Sequence, residues 1–251
     1  MSYGAFAEFY DTLTENVDYA EIAAYYDRLN TRFGGKKEIL LDLACGTGSL
    51  SVLFSKMGYD VIGVDSSPEM LNVALSKEHG AIQYLCQSMT ELDLYGTIQA
   101  AVSSLDSINH LSDRGEVLRA FERVSLFSDP GALFLFDVNT VYKHERVLED
   151  RTFLYEAEHV LCIWQNEYLG DGTTEIALDF FAEGEDGRYE RFSEGFTETA
   201  YPEEELHALL ERAGFEVCAV YDYLTEEPPR ADSEKLTFVA RKREGSGKER
   251  E

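Results

Sequence analysis

Asp42, Gly46, Gly48 and Asp65 are residues whose types and spacing can do chemistry together. The two glycines follow a nearly continuous apolar run, Ile39 to Ala44, and precede residues of helical periodicity from Ser49 to Met57. A strand that ends in a glycine loop and feeds a helix brings backbone N–H groups to one point, and glycine lets a ligand approach the backbone closely. A nucleotide-like ligand is therefore expected, with a tight turn that binds nothing as the alternative. Ser51 stands where a dinucleotide fingerprint needs a third glycine, and the Asp42 carboxylate would repel a docked pyrophosphate while attracting a cation. A cationic nucleoside fits better than a nicotinamide dinucleotide. Asp65, seventeen residues past Gly48, ends a second buried run, Val61 to Val64, at the place where an acidic side chain accepts hydrogen bonds from ribose hydroxyls. The competing readings are Asp65 as a helix cap and Asp42 as the partner of a nearby backbone amide.

The elements that must hold these residues alternate in type. An N-terminal helical segment, Phe6 to Leu29, is stopped by Gly34 and Gly35. After Asp65, Ser66 can cap a helix that has Pro68 in its first turn and Glu69 completing a capping box, and this helix reaches Lys77. Strands at Ile82 to Cys86, Ala100 to Ser104 and Ala132 to Val138, with a helix from Asp113 to Phe127, continue the alternation. This pattern demands a Rossmann-like, doubly wound, mostly parallel α/β sheet with helices on both faces. Four further strands, Thr152 to Ala157, Val160 to Tyr168, Thr174 to Phe181 and Tyr189 to Thr197, are joined by turn-rich segments and read as antiparallel. A helix from Pro202 to Ala213 and strands Phe215 to Tyr221 and Leu236 to Arg241 then restore the first rhythm. The expected division is residues 1–140 as helical cap and ligand-binding core, 141–200 as an inserted small antiparallel β-sheet over the ligand crevice, 201–242 as the end of the core, and 243–251 as a tail. The acidic loop from Asp222 to Glu234 and the tail are expected to be solvated and mobile.

The charge balance is 22 basic against 48 acidic residues, a formal net charge of −26, which disfavours nucleic acid and anionic lipid surfaces as partners. Cys45, Cys86, Cys162 and Cys218 make no paired motif and read as reduced and mostly buried. His79, His144, His159 and His207 make no metal-ligand spacing with one another or with the cysteines, so no structural metal is expected. No signal-peptide pattern or membrane span is read, and the expected compartment is the cytoplasm.

The run LDLACGTG, followed by VIGVDSSPEML, CQSM and SSLDSINHL, resembles the class I S-adenosylmethionine-dependent methyltransferases, especially small bacterial ones opening with a phrase like FAEFYDTL. The resemblance covers about Phe6 to Val138 and implies a seven-stranded sheet, S-adenosylmethionine as cofactor, and methyl transfer to a small-molecule acceptor by in-line displacement. It implies that Ala44, Cys45, Gly46 and Gly48 line the methionine part of the cofactor and that Asp42 holds its ammonium. It further implies that Asp65 takes the ribose, Ser66 and Met70 lie beside the adenine, Ser88 and Met89 border the purine edge, and Leu105 and Asp106 close the pocket near the methionine tail. This chain departs from the family where Ala44 replaces a frequent glycine and Ser88 a frequent aspartate, and the hydroxyl of Ser88 accepts a hydrogen bond more weakly than a carboxylate.

A general base is optional for such a displacement, and no catalytic residue is assigned. His110 could take a proton from the acceptor, and Asn109 could orient it. Of the aromatic group Tyr3, Phe6, Phe9 and Tyr10, Tyr10 is the one expected to cover the site; core packing accounts for the others. Trp164, Tyr155, Tyr168, Phe180 and Phe181 in the insertion either hold a small apolar or cationic acceptor or bury the inner face of their own sheet. A non-catalytic cofactor-binding or partner-binding protein and a nicotinamide-dependent oxidoreductase are the alternatives to an enzyme of this family. The sequence specifies neither acceptor nor oligomeric state.

Overall fold

In the computed structural model, residues 4–77, 82–157, 159–184 and 186–244 are described. Tyr3, His79, the side chain of Phe6 and the tail from residue 245 lie outside what is described. The chain forms α1 (Gly4–Leu13), α2 (Tyr19–Arg32), β1 (Ile39–Leu43), α3 (Ser49–Lys56), β2 (Asp60–Asp65), α4 (Pro68–Ser76), β3 (Gln83–Cys86), β4 (Ile98–Ser103), α5 (Arg114–Phe127) and β5 (Ser128–Asn139). Next come β6 (Thr152–Ala157), β7 (Val160–Gly170), β8 (Thr173–Glu183) and β9 (Tyr189–Thr199), then α6 (Glu203–Arg212), β10 (Phe215–Asp222) and β11 (Lys235–Lys242).

Seven strands make one sheet in the order β10-β11-β5-β4-β1-β2-β3. Its β3-β2-β1-β4-β5 portion is parallel, while β11 runs antiparallel to both β5 and β10. Side chains alternate across this sheet as its pleat requires. Leu41 and Leu43 of β1 with Phe134 and Phe136 of β5 pack in a core with α5 and α6, and Leu40 with Leu133 and Leu135 pack against α2 and α3. Asp42 and Asp137 share the parity of that second face, which places two buried carboxylates in that layer.

The second sheet has the order β6-β7-β8-β9, all antiparallel, and is inserted between β5 and α6. Its inner face carries Ile176, Leu178 and Phe180, packed with Phe9 and Leu13 of α1 as well as with Phe192 and Phe196. Phe9 stacks on Phe192 with ring centroids 5.6 Å apart.

The structure departs from the sequence reading in the N-terminal segment, the acidic loop and the cysteines. The N-terminal segment is two helices, because the Thr14 hydroxyl turns back onto the Tyr10 carbonyl and the Asp18 side chain caps α2 by accepting from the Glu21 amide. The acidic loop after β10 is tied down: Tyr25 donates to the Thr225 carbonyl at 2.6 Å, and Arg230 pairs with Asp222 at 2.7 Å. All four cysteines are free, yet Cys162 alone is fully buried, and Cys86 is exposed because β3 is an edge strand. No described helix is long and apolar enough to cross a membrane.

Candidate functional site

The carboxyl ends of the parallel strands meet at a cavity of about 430 Å³. Open α/β sheets bind ligands at this end, because the strand-to-helix loops diverge there. From the loop after β1 the lining takes Ala44, Cys45, Gly46 and Thr47, with Asp42 behind them; from β2 and beyond come Asp65, Ser66 and Met70; from after β3 comes Met89; and from after β4 come Leu105, Asp106 and His110. Tyr10, Thr14 and Tyr19 close it from the N-terminal helices, while Tyr155, Trp164, Phe196 and Glu198 close it from the inserted sheet.

The loop after β1 is held in a strained form. Ala44 has φ of 59°, Gly46 of 53° and Gly48 of 73°, all in the left-handed region that an L side chain resists. Asp65 fastens this loop to β2: its Oδ2 accepts from the Gly46 amide and its Oδ1 from the Ser67 amide, each at 2.8 Å. Ser67 rather than Ser66 caps α4, with its hydroxyl accepting from the Met70 amide, which leaves Ser66 facing the cavity. Asp42 accepts from the Ser51 hydroxyl. Burial raises the Asp42 carboxyl to about 6 and also raises that of Asp65.

After β4 the turn is strained in the same way, with Leu105 and Asp106 both at φ of 56°. Asp137 holds it, accepting from the amides of Leu105 and Asp106 at 2.9 and 2.8 Å and from the Tyr26 hydroxyl at 2.8 Å. Asp106 in turn accepts from Lys235 at 2.8 Å and from the Asn139 amide at 2.7 Å. Burial alone would raise the Asp106 carboxyl, but the ammoniums of Lys235 and Lys143 outweigh it and hold the group well below the ordinary carboxylate range. Burial lowers the His110 imidazole, although Asp106 and Asp65 oppose that shift.

Three of the expected site residues lie outside the lining. Gly48 begins α3, where an added Cβ would stand 2.5 Å from the Tyr84 hydroxyl, so its place is in packing the loop. Ser88 caps the turn after β3 by accepting from the Thr90 amide. Asn109 is fully buried, donating to the carbonyls of Asn139 and Thr199 and accepting from the Asn139 amide. Its amide is thereby committed to joining the two sheets and cannot orient a ligand. Of the five aromatics singled out in the insertion, Tyr155 and Trp164 reach the cavity, whereas Phe180 is buried in the sheet's own core.

Lys143, Lys235 and Glu198 were not singled out in the sequence, and each lines the cavity. Glu198 had a readable signal, since it shares the parity of Phe192 and Phe196 on β9 and so falls on the inner face. The lysines had none: Lys235 meets Asp106 from 129 residues away, and Lys143 lies on no strand whose alternation assigns it a face.

A family model described as a methyltransferase domain matches residues 40–125. A protein of Geobacillus sp. (strain WCH70) assigned to the methyltransferases is 34% identical over 248 residues, covering 96% of this chain and 100% of that one. The chain belongs to the class I S-adenosylmethionine-dependent methyltransferases. An S-adenosylmethionine-dependent methyltransferase from Clostridium acetobutylicum ATCC 824 superimposes with a TM-score of 0.86 at 28% identity, covering 96% of this chain and 99% of that one. The sugar N-methyltransferase KedS8 from Streptoalloteichus sp ATCC 53650 gives 0.80 at 25% identity, over 95% and 93% of the two chains. In this methyltransferase the inserted sheet and the N-terminal helices bring aromatic and ionisable side chains to the cavity.

Proposed function

We propose that this methyltransferase binds S-adenosylmethionine across the loop after β1 and the end of β2, and methylates a small-molecule acceptor held beneath the inserted sheet. The observation that carries this reading is the convergence of Asp42, Asp65 and Asp106, from three different strand ends, on one cavity that the insertion roofs with Tyr155, Trp164 and Phe196. Three carboxylates suit a ligand bearing a sulfonium and an ammonium. Each Asp65 oxygen takes one backbone amide and keeps further acceptor capacity for a hydroxyl, so a ribose diol fits it. Ala44, Cys45 and Gly46 would border the methionine part, Ser66, Met70 and Met89 the adenine, and Leu105 with Asp106 the methionine tail. When bound, the cofactor supplies a methyl group on a cationic sulfur, reactive toward a nucleophile in line with the bond that breaks. The chain's own contribution is alignment and the exclusion of water. Helix α1 serves exclusion: Asp11 accepts from Thr47 at 2.6 Å and pairs with Lys77 at 2.7 Å, which latches the helix to the glycine loop. Tyr10 then covers the cavity, and residues 141–200 act as the acceptor flap. The small-molecule class is supported by the sugar N-methyltransferase of similar fold.

Calorimetry tests the site. S-adenosylmethionine is expected to bind wild type near one per chain, and Asp65→Ala to weaken that binding by about 1–3 kcal/mol, the scale for hydroxyls left without their acceptor. Unchanged affinity in the variant would remove Asp65 from the site.

A further inference from the structure

Glu198 is a buried carboxylate with a vacant side. Its side chain is 4% exposed, and it sits at the end of β9 facing the cavity. Its Oε2 accepts from the Asn139 side-chain Nδ2 at 3.1 Å and lies 3.7 Å from His144 Nε2, whose ring is fixed by the Thr174 hydroxyl at 3.0 Å from Nδ1. Its Oε1 accepts no hydrogen bond from a described residue, and His110 Nε2 stands 3.9 Å away.

The cations around it are already engaged. Lys235 pairs with Asp106 and Asp137, and Lys143 donates to the Asn139 side-chain oxygen at 2.8 Å. Among the described residues no lysine or arginine lies within ion-pair distance of Glu198. Burial deprives the carboxylate of water, and with Asp106 nearby it is pushed up to about 8. His144, held low by burial and by Lys143, offers no charge. Lys143 and Lys235 offset that shift only in part from beyond ion-pair distance, and a buried acid without a contact ion pair is costly when ionised unless a ligand brings the cation. The walls beside it are the aromatic faces of Trp164, Tyr155 and Phe196, with the Phe196 ring 5.0 Å from that of His110. Aromatic faces attract cations as well.

We propose that Glu198 is the acceptor-binding carboxylate of this enzyme and that the acceptor is a small primary or secondary amine, docked as its ammonium between Glu198 Oε1 and the aromatic walls. One N–H bond of the ammonium breaks, its proton passes to Oε1, and the electron pair stays on nitrogen as the nucleophile. This rests on the methyltransferase reading, with the acceptor beneath the inserted sheet.

The test uses full-length protein saturated with S-adenosylhomocysteine and three probes of similar size: benzylammonium, its isostere benzyl alcohol, and benzoate. Wild type is expected to bind benzylammonium at least about tenfold more tightly than the alcohol, the ratio one charge-assisted contact supplies. Glu198→Gln keeps an acceptor for Asn139 and should bring the ratio within about twofold while leaving S-adenosylhomocysteine affinity intact. Equal or tighter binding of the alcohol or benzoate, survival of the preference in Glu198→Gln, or failure of the saturated wild type to bind benzylammonium would each overturn the proposal. Failure of wild type to bind S-adenosylhomocysteine would instead overturn the cofactor-site reading.

Discussion

Burial in the layer of α2 and α3 raises the Asp42 carboxyl to about 6, against 3.8 for the free group, and the Ser51 hydroxyl only partly offsets it. The sign of the linkage follows. A carboxyl whose folded value lies above its unfolded one favours folding when protonated, and that contribution is lost as the pH rises from about 4 through 6. A bound cation acts the other way, favouring the ionised form, so cofactor binding should release a proton in this window. Affinity for S-adenosylmethionine is therefore expected to rise between about pH 5 and 7 and then level off, with a binding enthalpy at pH 6 that depends on the buffer's ionisation enthalpy. Asp42→Asn, which stands in for the protonated carboxyl, should flatten both dependences and lower the affinity at about pH 8 towards the wild-type value at about pH 5. A wild-type enthalpy independent of buffer would show that Asp42 does not face the cofactor's charge.

Among the elements, the loop joining β1 to α3 separates two uses of glycine. Gly46 and Gly48 are both left-handed, but an added Cβ at Gly46 meets nothing within 4 Å, whereas at Gly48 it meets the Tyr84 hydroxyl at 2.5 Å and Ala74 at 3.0 Å. Gly46→Ala should cost about 1–2 kcal/mol of stability from backbone strain alone, and its methyl would occupy the space claimed here for the cofactor. Gly48→Ala adds overpacking of about 1–3 kcal/mol to the same strain. Urea denaturation with cofactor titration checks the pair: Gly48→Ala should be the less stable variant and Gly46→Ala the weaker binder. The reverse order would move the cofactor away from Gly46. The insertion offers a second contrast at this scale. Its alternation was legible in the sequence, but an inward parity can mean the sheet's own core, as for Phe180, or the cavity, as for Trp164 and Glu198.

At the scale of the whole molecule, Lys235 links β11 to the turn after β4 and to β5, contacting Asp106 at 2.8 Å and Asp137 at 3.5 Å. This ammonium is what lets two carboxylates lie side by side, Asp106 at the cavity and Asp137 beneath it. Lys235→Met would leave them without it and should destabilise the fold by about 3–5 kcal/mol near neutral pH. Asp106 is held low in the folded state, so its contribution is present above about pH 4 and is lost as the pH falls further. The gap between wild type and variant should therefore narrow in acid. Denaturation midpoints followed from neutral pH into acid check this, and a gap that stays constant would argue that Lys235 contributes by packing alone.

Hydrophobic periodicity is local, and so the order and type of the elements, the inserted antiparallel sheet and the Gly46, Asp65 and His110 positions could be read before any folding. Local reading has a matching limit: it could not distinguish one long N-terminal helix from α1 and α2, because the Asp18 cap and the Thr14 back-bond decide that break. Nor could it see that Asn109 is spent on two backbone carbonyls, or that the Asp222 to Glu234 loop is tied down by Tyr25 and Arg230. The placement of Lys143 and Lys235 around Asp106 was decided by tertiary structure alone, whereas Glu198 left only its inward parity on β9 in the sequence. A charge in the sequence looks the same wherever it goes, and its chemistry is set by the water it loses and the partners that chain crossing brings to it.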